Sequence, residues 1–154
     1  MKRNPILYCS VALLFAALPA LVLASDQASR QDVIKYREAI MKTMNQQAAA
    51  LGQIASTVIP QTNLTAHFEI IALTASAALQ AFKPDVPGGK AKPEIWSNWP
   101  DFSKRMAQFV QDANGSVKIA EAQGMDGALT QMVALANDCK ACHDKYRQPQ
   151  TATP

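Results

Sequence analysis

Residues 138–147 read DCKACHDKYR and end seven residues short of the end of a 154-residue chain. The stretch carries Cys139-x-x-Cys142-His143, and three chemistries use such a sequence: a redox dithiol, a zinc knuckle or a covalently attached haem. Zinc takes about four protein ligands. Beyond this stretch the chain, apart from its N-terminal leader, adds only His67, far away in sequence. A reactive dithiol opens a helix, where the N-terminal dipole lowers the thiol pKa. Here the pair falls about four turns inside a predicted helix, in a chain without alternating strand and helix patterns. A plain disulfide across so short a gap stabilises little. Cys-x-x-Cys-His is the attachment motif of c-type haem. Two thiols at i and i+3 share a helix face, so they can reach the two vinyl groups at one edge of a porphyrin. His143 follows on the same turn and can present its imidazole to iron. The last residues, 144–154, hold neither Met nor His, so any sixth ligand must come from upstream.

The other end of the chain fixes the compartment. Lys2 and Arg3 precede an apolar run from about Ile6, and Val22-Leu23-Ala24 leads into a polar start at Ser25. This is the pattern of a secretory signal peptide cleaved after Ala24. It predicts a domain of residues 25–154 in an exported, oxidising compartment, with a bacterial periplasm the best match. Cys9 leaves with the leader. Losing Lys2 and Arg3 lowers the formal charge of +3 by two, which gives no reason to invoke nucleic acid. No second segment is expected to span a membrane.

Between the leader and the motif, apolar residues recur at helical spacing in four blocks. The first carries Val33, Ile34, Ile40, Met41, Met44, Ala48, Leu51, Ile54 and Val58, and stops at Pro60. The second starts near Thr62 or Asn63, either a plausible N-cap, and carries Phe68, Ile71, Ala72, Ala75, Leu79 and Phe82 before Pro84. Residues 84–98, with three prolines and two glycines, read as a long loop. The third block starts at Pro100, carries Phe102, Met106, Phe109, Val110, Ala113, Val117 and Ala120, and stops at Gly124. Asp126 can cap the fourth, whose predicted stripe is Leu129, Met132, Val133, Ala136, Cys139, His143 and Tyr146. The predicted fold is all-α: an antiparallel four-helix bundle with one long loop between helices 2 and 3. Its alanine-rich stripes leave room that a cofactor could fill.

VIKYREAIMKTM at 33–44, GGKAKPEIWSNWPDF at 88–102 and DCKACHDKYR at 138–147 together resemble the class II c-type cytochromes, that is, the cytochrome c′ family and its low-spin relatives. The resemblance covers about residues 30–147, and cytochrome c′ is itself a standard instance of the four-helix bundle. It implies one covalent haem c on Cys139 and Cys142 with His143 as the proximal iron ligand. It also implies that Arg37 meets a haem propionate. On spacing alone, Arg37 lies on the apolar side of its helix, where an arginine can equally snorkel. Arg147 matches an arginine near the proximal imidazole, with a solvated helix end as the alternative. Met41 matches the residue on the distal side, where a Met either ligates iron as a sixth ligand or crowds it without binding. Phe82 matches an aromatic that can pack on the distal face and fits plain core equally well. Trp96 and Phe102 read as structural, Met44, Met106 and Met132 as core, and His67 as a rim residue. Asn63-Leu64-Thr65 has the form of a glycosylation site, without meaning in a bacterial protein.

The functional expectation is one-electron transfer with redox partner proteins. Its rival is a five-coordinate haem protein that binds NO or CO, and a haem-free thiol oxidoreductase is a remote third. No nucleophile–base pair or carboxylate dyad stands out, so an enzyme is not expected. A homodimer through the first two helices is left open, because their outward faces carry mixed polar residues such as Gln46 and Gln53.

Overall fold

The structure is a computed structural model and describes residues 28–149 except 57 and 58. The signal peptide and Val58 lie outside the described residues. Helix α1 spans Arg30–Ala55, α2 spans Leu64–Ala81 after a 3-10 turn at Gln61–Asn63, and α3 is a single turn at Glu94–Ser97. A last helical stretch, Trp99–Tyr146, breaks at Gly124 (φ 60°, ψ −140°). Its two arms, 99–123 and 125–146, are α4 and α5. Gly124 alone makes the reversal, because a side chain is disfavoured at that backbone conformation. Asp126 is therefore inside α5 and does not cap it.

Local signals start the helices. Ser29 caps α1 in a reciprocal box with Asp32: the Asp32 amide donates to Ser29 Oγ at 3.2 Å and the Ser29 amide to Asp32 Oδ2 at 3.2 Å. Asn63 is the α2 N-cap residue, but its side chain makes no capping bond. Pro100 sits in the first turn of α4, where its missing N–H costs nothing.

Inward positions repeat at alternating spacings of three and four. They run Arg37, Ile40, Met44, then Leu51 and Ile54 on α1, and Leu64, Phe68, Ile71, Ala75, Ala78 on α2. On α4 they are Phe102, Met106, Phe109, Ala113, Ser116 and Ala120. A 3.5-residue period packs helices nearly antiparallel, at about 20°. Helix α2 packs against α1 on one side and against the α4–α5 arms on the other.

On α5 the structure corrects the predicted stripe. Leu129 and Val133, expected inside, are 44% and 64% exposed, and Ala136 is exposed as well. The inward series is Ala128, Met132, Leu135, Cys139, Cys142 and Tyr146. Both series step by three and four and share Met132, Cys139 and Tyr146; they differ in phase, with Ala128, Leu135 and Cys142 inward in place of Leu129, Ala136 and His143. Both cysteines of the motif therefore occupy seam positions. His143 falls just off the seam and is exposed.

The stretch Gln61–Ala81 is long and apolar enough to cross a membrane, which the sequence reading did not anticipate. Its buried residues line the bundle interior, while Ile70 and Leu73 face outward.

The segment between α2 and α4 straps the lower end of the bundle. Gly88 (φ 138°) and Gly89 (φ 61°) lie directly on α1: a Cβ would stand 2.8 Å from Ile34 Cδ1 at Gly88 and 2.7 Å from Glu38 Oε1 at Gly89. Arg30 Nη2 donates to Pro87 O at 2.7 Å. On the other side the strap holds the end of α5. The Lys92 amide donates to Tyr146 O at 3.0 Å, the Gln148 amide to Lys90 O at 2.8 Å, and Lys92 Nζ to Asp144 O and Lys145 O at 3.4 and 3.2 Å. These bonds satisfy carbonyls that a helix C-terminus leaves without partners.

Candidate haem site

Cys139 and Cys142 are neighbouring seam residues about two turns and one turn from the end of α5, and both are partly buried free thiols. Cys139 packs against the core that surrounds Phe68, and Cys142 against the core that contains Phe82, Phe102 and Tyr146. Burial pushes the Cys139 thiol up to about 11, with Asp138 and Cys142 adding to the effect. Burial also raises Cys142, partly opposed by Arg105. Both thiols are protonated at neutral pH. A dithiol oxidoreductase needs the reverse, a depressed thiol pKa at a helix N-terminus. The pair also lies at the C-terminal end of its helix, where the dipole disfavours a thiolate.

His143 is exposed as a residue, yet the surrounding protein withholds enough water to lower its pKa, and the Arg147 guanidinium lowers it further. Both effects favour the neutral imidazole, the form that ligates iron. Half-buried Arg147 thus stands within electrostatic reach of His143, next to the strap, through its bridge with Ala91.

Arg37 is the outlier of the interior. It is 3% exposed, so its head does not snorkel to water. Nη2 donates to Val86 O on the strap. The guanidinium lies 5.1 Å from the Phe82 ring and 5.0 Å from the Trp96 ring, and Trp96 is itself held by its Nε1–H bond to Phe82 O at 3.0 Å. Nη1 is buried with no partner among the described residues. A buried cationic N–H without an acceptor is costly, and burial lowers the Arg37 pKa. Met41, one turn further along α1, is partly buried against the same core as Cys142. Phe82 is 6% exposed and also packs on Phe102, at 5.2 Å between ring centroids.

The helices thus bring the motif, Arg37, Met41 and Phe82 to one end of the bundle. The donor set fits a haem: two thiols on one face, a neutral imidazole beside them, and an unsatisfied guanidinium N–H for a propionate. Residues 32–147 match the family described as Cytochrome C′. The chain belongs to the cytochrome c′ family. A cytochrome c′ from Alcaligenes xylosoxydans xylosoxydans is 29% identical over 79% of this chain and 97% of its own. A cytochrome c-556 from Agrobacterium tumefaciens (strain apple 185) is 32% identical over 72% of this chain and 90% of its own. Among solved structures, a nitric oxide complex of a mutant cytochrome c prime from Alcaligenes xylosoxidans superposes with a TM-score of 0.74 at 26% identity. It covers 80% of this chain and 100% of that one. Membership of the cytochrome c′ family makes this chain a haem protein whose cofactor is covalently attached haem c.

Three parts of the site escaped the sequence reading. Val86 and Trp96 enclose Arg37 from the strap. Asp101, at the start of α4, binds the last turn of α5: its Oδ2 accepts from Arg105 Nε at 2.8 Å, Lys145 Nζ at 2.8 Å and Tyr146 OH at 2.6 Å. An acid in a first helical turn is common, and nothing in the sequence pairs it with residues 44 and 45 positions later. His67, by contrast, is a partly buried rim residue as expected, within 2.7 Å of Gln47 Oε1.

Proposed function

We propose that the domain of residues 25–154 is a periplasmic monohaem cytochrome that carries single electrons between redox proteins. Cys139 and Cys142 hold the ring by two thioether bonds, and His143 supplies the axial nitrogen. When bound, the haem supplies an iron that cycles between Fe(III) and Fe(II). The chain does the rest. The α5 seam aims both thiols into the bundle. Arg37 pairs a propionate through the Nη1–H that otherwise has no acceptor, and its charge favours the ferrous state. Phe82 and Met41 wall the distal side, and Arg147 stands within electrostatic reach of the proximal imidazole and, after burial, disfavours its protonated form. The observation that carries this reading is the buried, unpartnered Nη1 of Arg37 at the same end of the bundle as the thiols. The protein expressed with its leader should be red, and acid–acetone extraction should leave the colour on the chain. Colour that moves into the solvent refutes covalent attachment.

A second reading, NO or CO binding at five-coordinate iron, draws on Met41, whose thioether can crowd the distal side without binding, and on the nitric oxide complex of the Alcaligenes relative. A low-spin ferrous spectrum with a sharp α band favours electron transfer; a high-spin one favours the gas.

A further inference from the structure

We propose that Asp101 is a positioning residue for the iron-binding turn: it fixes the rotation of the end of α5, and so the direction from which His143 meets the iron. This rests on the assignment of His143 as the axial ligand.

A single carboxylate oxygen gathers three donors within 2.8 Å, two of them from α5. Arg105, then Lys145 and Tyr146, hold the Asp101 carboxyl well below the usual carboxylate range, so it accepts all three at any physiological pH. Lys145 and Tyr146 are consecutive, and consecutive side chains leave a helix about 100° apart. Two tethers that diverge by that angle and converge on one point stop α5 from turning about its axis. Tyr146 is the stiffer of the two. It is 3% exposed, and its ring stands edge-on to Phe102 at 5.2 Å and 88°. Phe102 in turn packs on Phe82 and Trp99. Axial sliding is blocked separately, by the strap bonds to Asp144 O, Lys145 O and Tyr146 O.

An ordinary surface ion pair would not do this. Exposed Lys140 and Asp144 pair along α5 itself, which leaves the helix free to turn. The Asp101 bonds cross from α4 to α5 and reach a buried phenol. Side chains lie roughly 5–6 Å from a helix axis, so a turn of about 10° moves the imidazole by roughly 1 Å. A ligand-field probe detects a displacement of that size.

The test uses the ferric holoprotein, because its EPR spectrum reports the ligand field whether iron is five- or six-coordinate. Asp101→Asn should keep the haem attached and the far-UV helicity unchanged, yet alter the rhombic splitting and broaden the lines. Tyr146→Phe, which removes one donor, should change the spectrum less and in the same sense. Asp101→Glu should return it toward wild type. A spectrum of Asp101→Asn that superposes on wild type overturns the proposal. If Asp101→Asn fails to accumulate as holoprotein, Tyr146→Phe combined with Lys145→Ala decides, and an unchanged spectrum there overturns it equally. Colour lost from the wild type on acid–acetone extraction sinks the haem-attachment reading together with this one. Colour retained with an unchanged spectrum in the variants sinks this one alone.

Discussion

The interior has two halves that solve different problems. Around the Gly124 end the core is aliphatic, with Leu51, Ile54, Leu64, Ile71 and several alanines about the fully buried Phe68. Its one buried polar side chain among the described residues, Ser116, lies 2.8 Å from Asp112 O and 3.3 Å from Gln131 Oε1. The other end holds an aromatic core of Phe82, Phe102 and Tyr146 flanked by Trp96 and Trp99, and there Phe82 and Trp96 face a buried guanidinium with an N–H that has no partner among the described residues. The first half is closed on itself. The second is built for a polar, planar guest, and the two cysteines sit on the boundary, one facing each core. Stability and cofactor chemistry are thus separated along one bundle, and substitutions on either side should report on one more than on the other.

The largest effect should follow from emptying the boundary. Cys139→Ser together with Cys142→Ser should abolish covalent attachment, visible as loss of haem staining on a denaturing gel, and should lower the yield of folded protein. Retained staining would place the attachment elsewhere.

Phe68→Ala attacks the closed half. Removing a fully buried Phe costs about 3–5 kcal/mol, which lowers the melting temperature by on the order of 10 °C for a domain of this size. The visible spectrum should not change. A spectral shift of the size produced at Met41 would show that the halves are coupled.

Met41→Ala alters the side chain proposed for the distal wall in the second half. If Met41 ligates, a low-spin wild type turns high-spin. If it crowds, a high-spin wild type stays so and binds carbon monoxide faster. Either result sharpens the comparison, because stability should fall less than for Phe68→Ala. An identical spectrum and identical carbon monoxide kinetics would remove Met41 from the site.

The smallest effect is expected for Arg37→Ala. The haem should remain attached, and the reduction potential should fall by on the order of tens of millivolts, since one cation about 10 Å away in a medium of intermediate dielectric favours Fe(II) by that much. Potentiometry with redox mediators measures it directly, and an unchanged potential would leave Arg37 a packing role only.

Much of this was legible one residue at a time. The motif names its cofactor because thiol spacing and an adjacent imidazole are local requirements, met within five residues of chain. Several helix starts and stops were readable for the same reason: Pro60, Pro84, Pro100 and Gly124 act on the backbone within about a turn of themselves, whereas the Ser29 cap of α1 was not anticipated. The expected stripe of α5 is rotated from the observed one, with Leu129, Ala136 and His143 in the place of Ala128, Leu135 and Cys142: both phases satisfy the three–four spacing, and only packing against the other helices chooses between them. The identity of Arg37 as a site candidate came from likeness to a family; its aromatic enclosure did not.

By itself, then, the sequence determined the four helices, their order and the chemistry of the turn at 139–143, all set by covalent spacing and backbone preference. Only the tertiary structure decided what surrounds that turn. Val86 and Trp96 reach Arg37 across 49 and 59 residues, and Asp101 reaches Lys145 and Tyr146 across 44 and 45. Such meetings depend on helix crossing angle, register and the path of the strap. No local propensity encodes these, because they are fixed by the packing of all the helices at once.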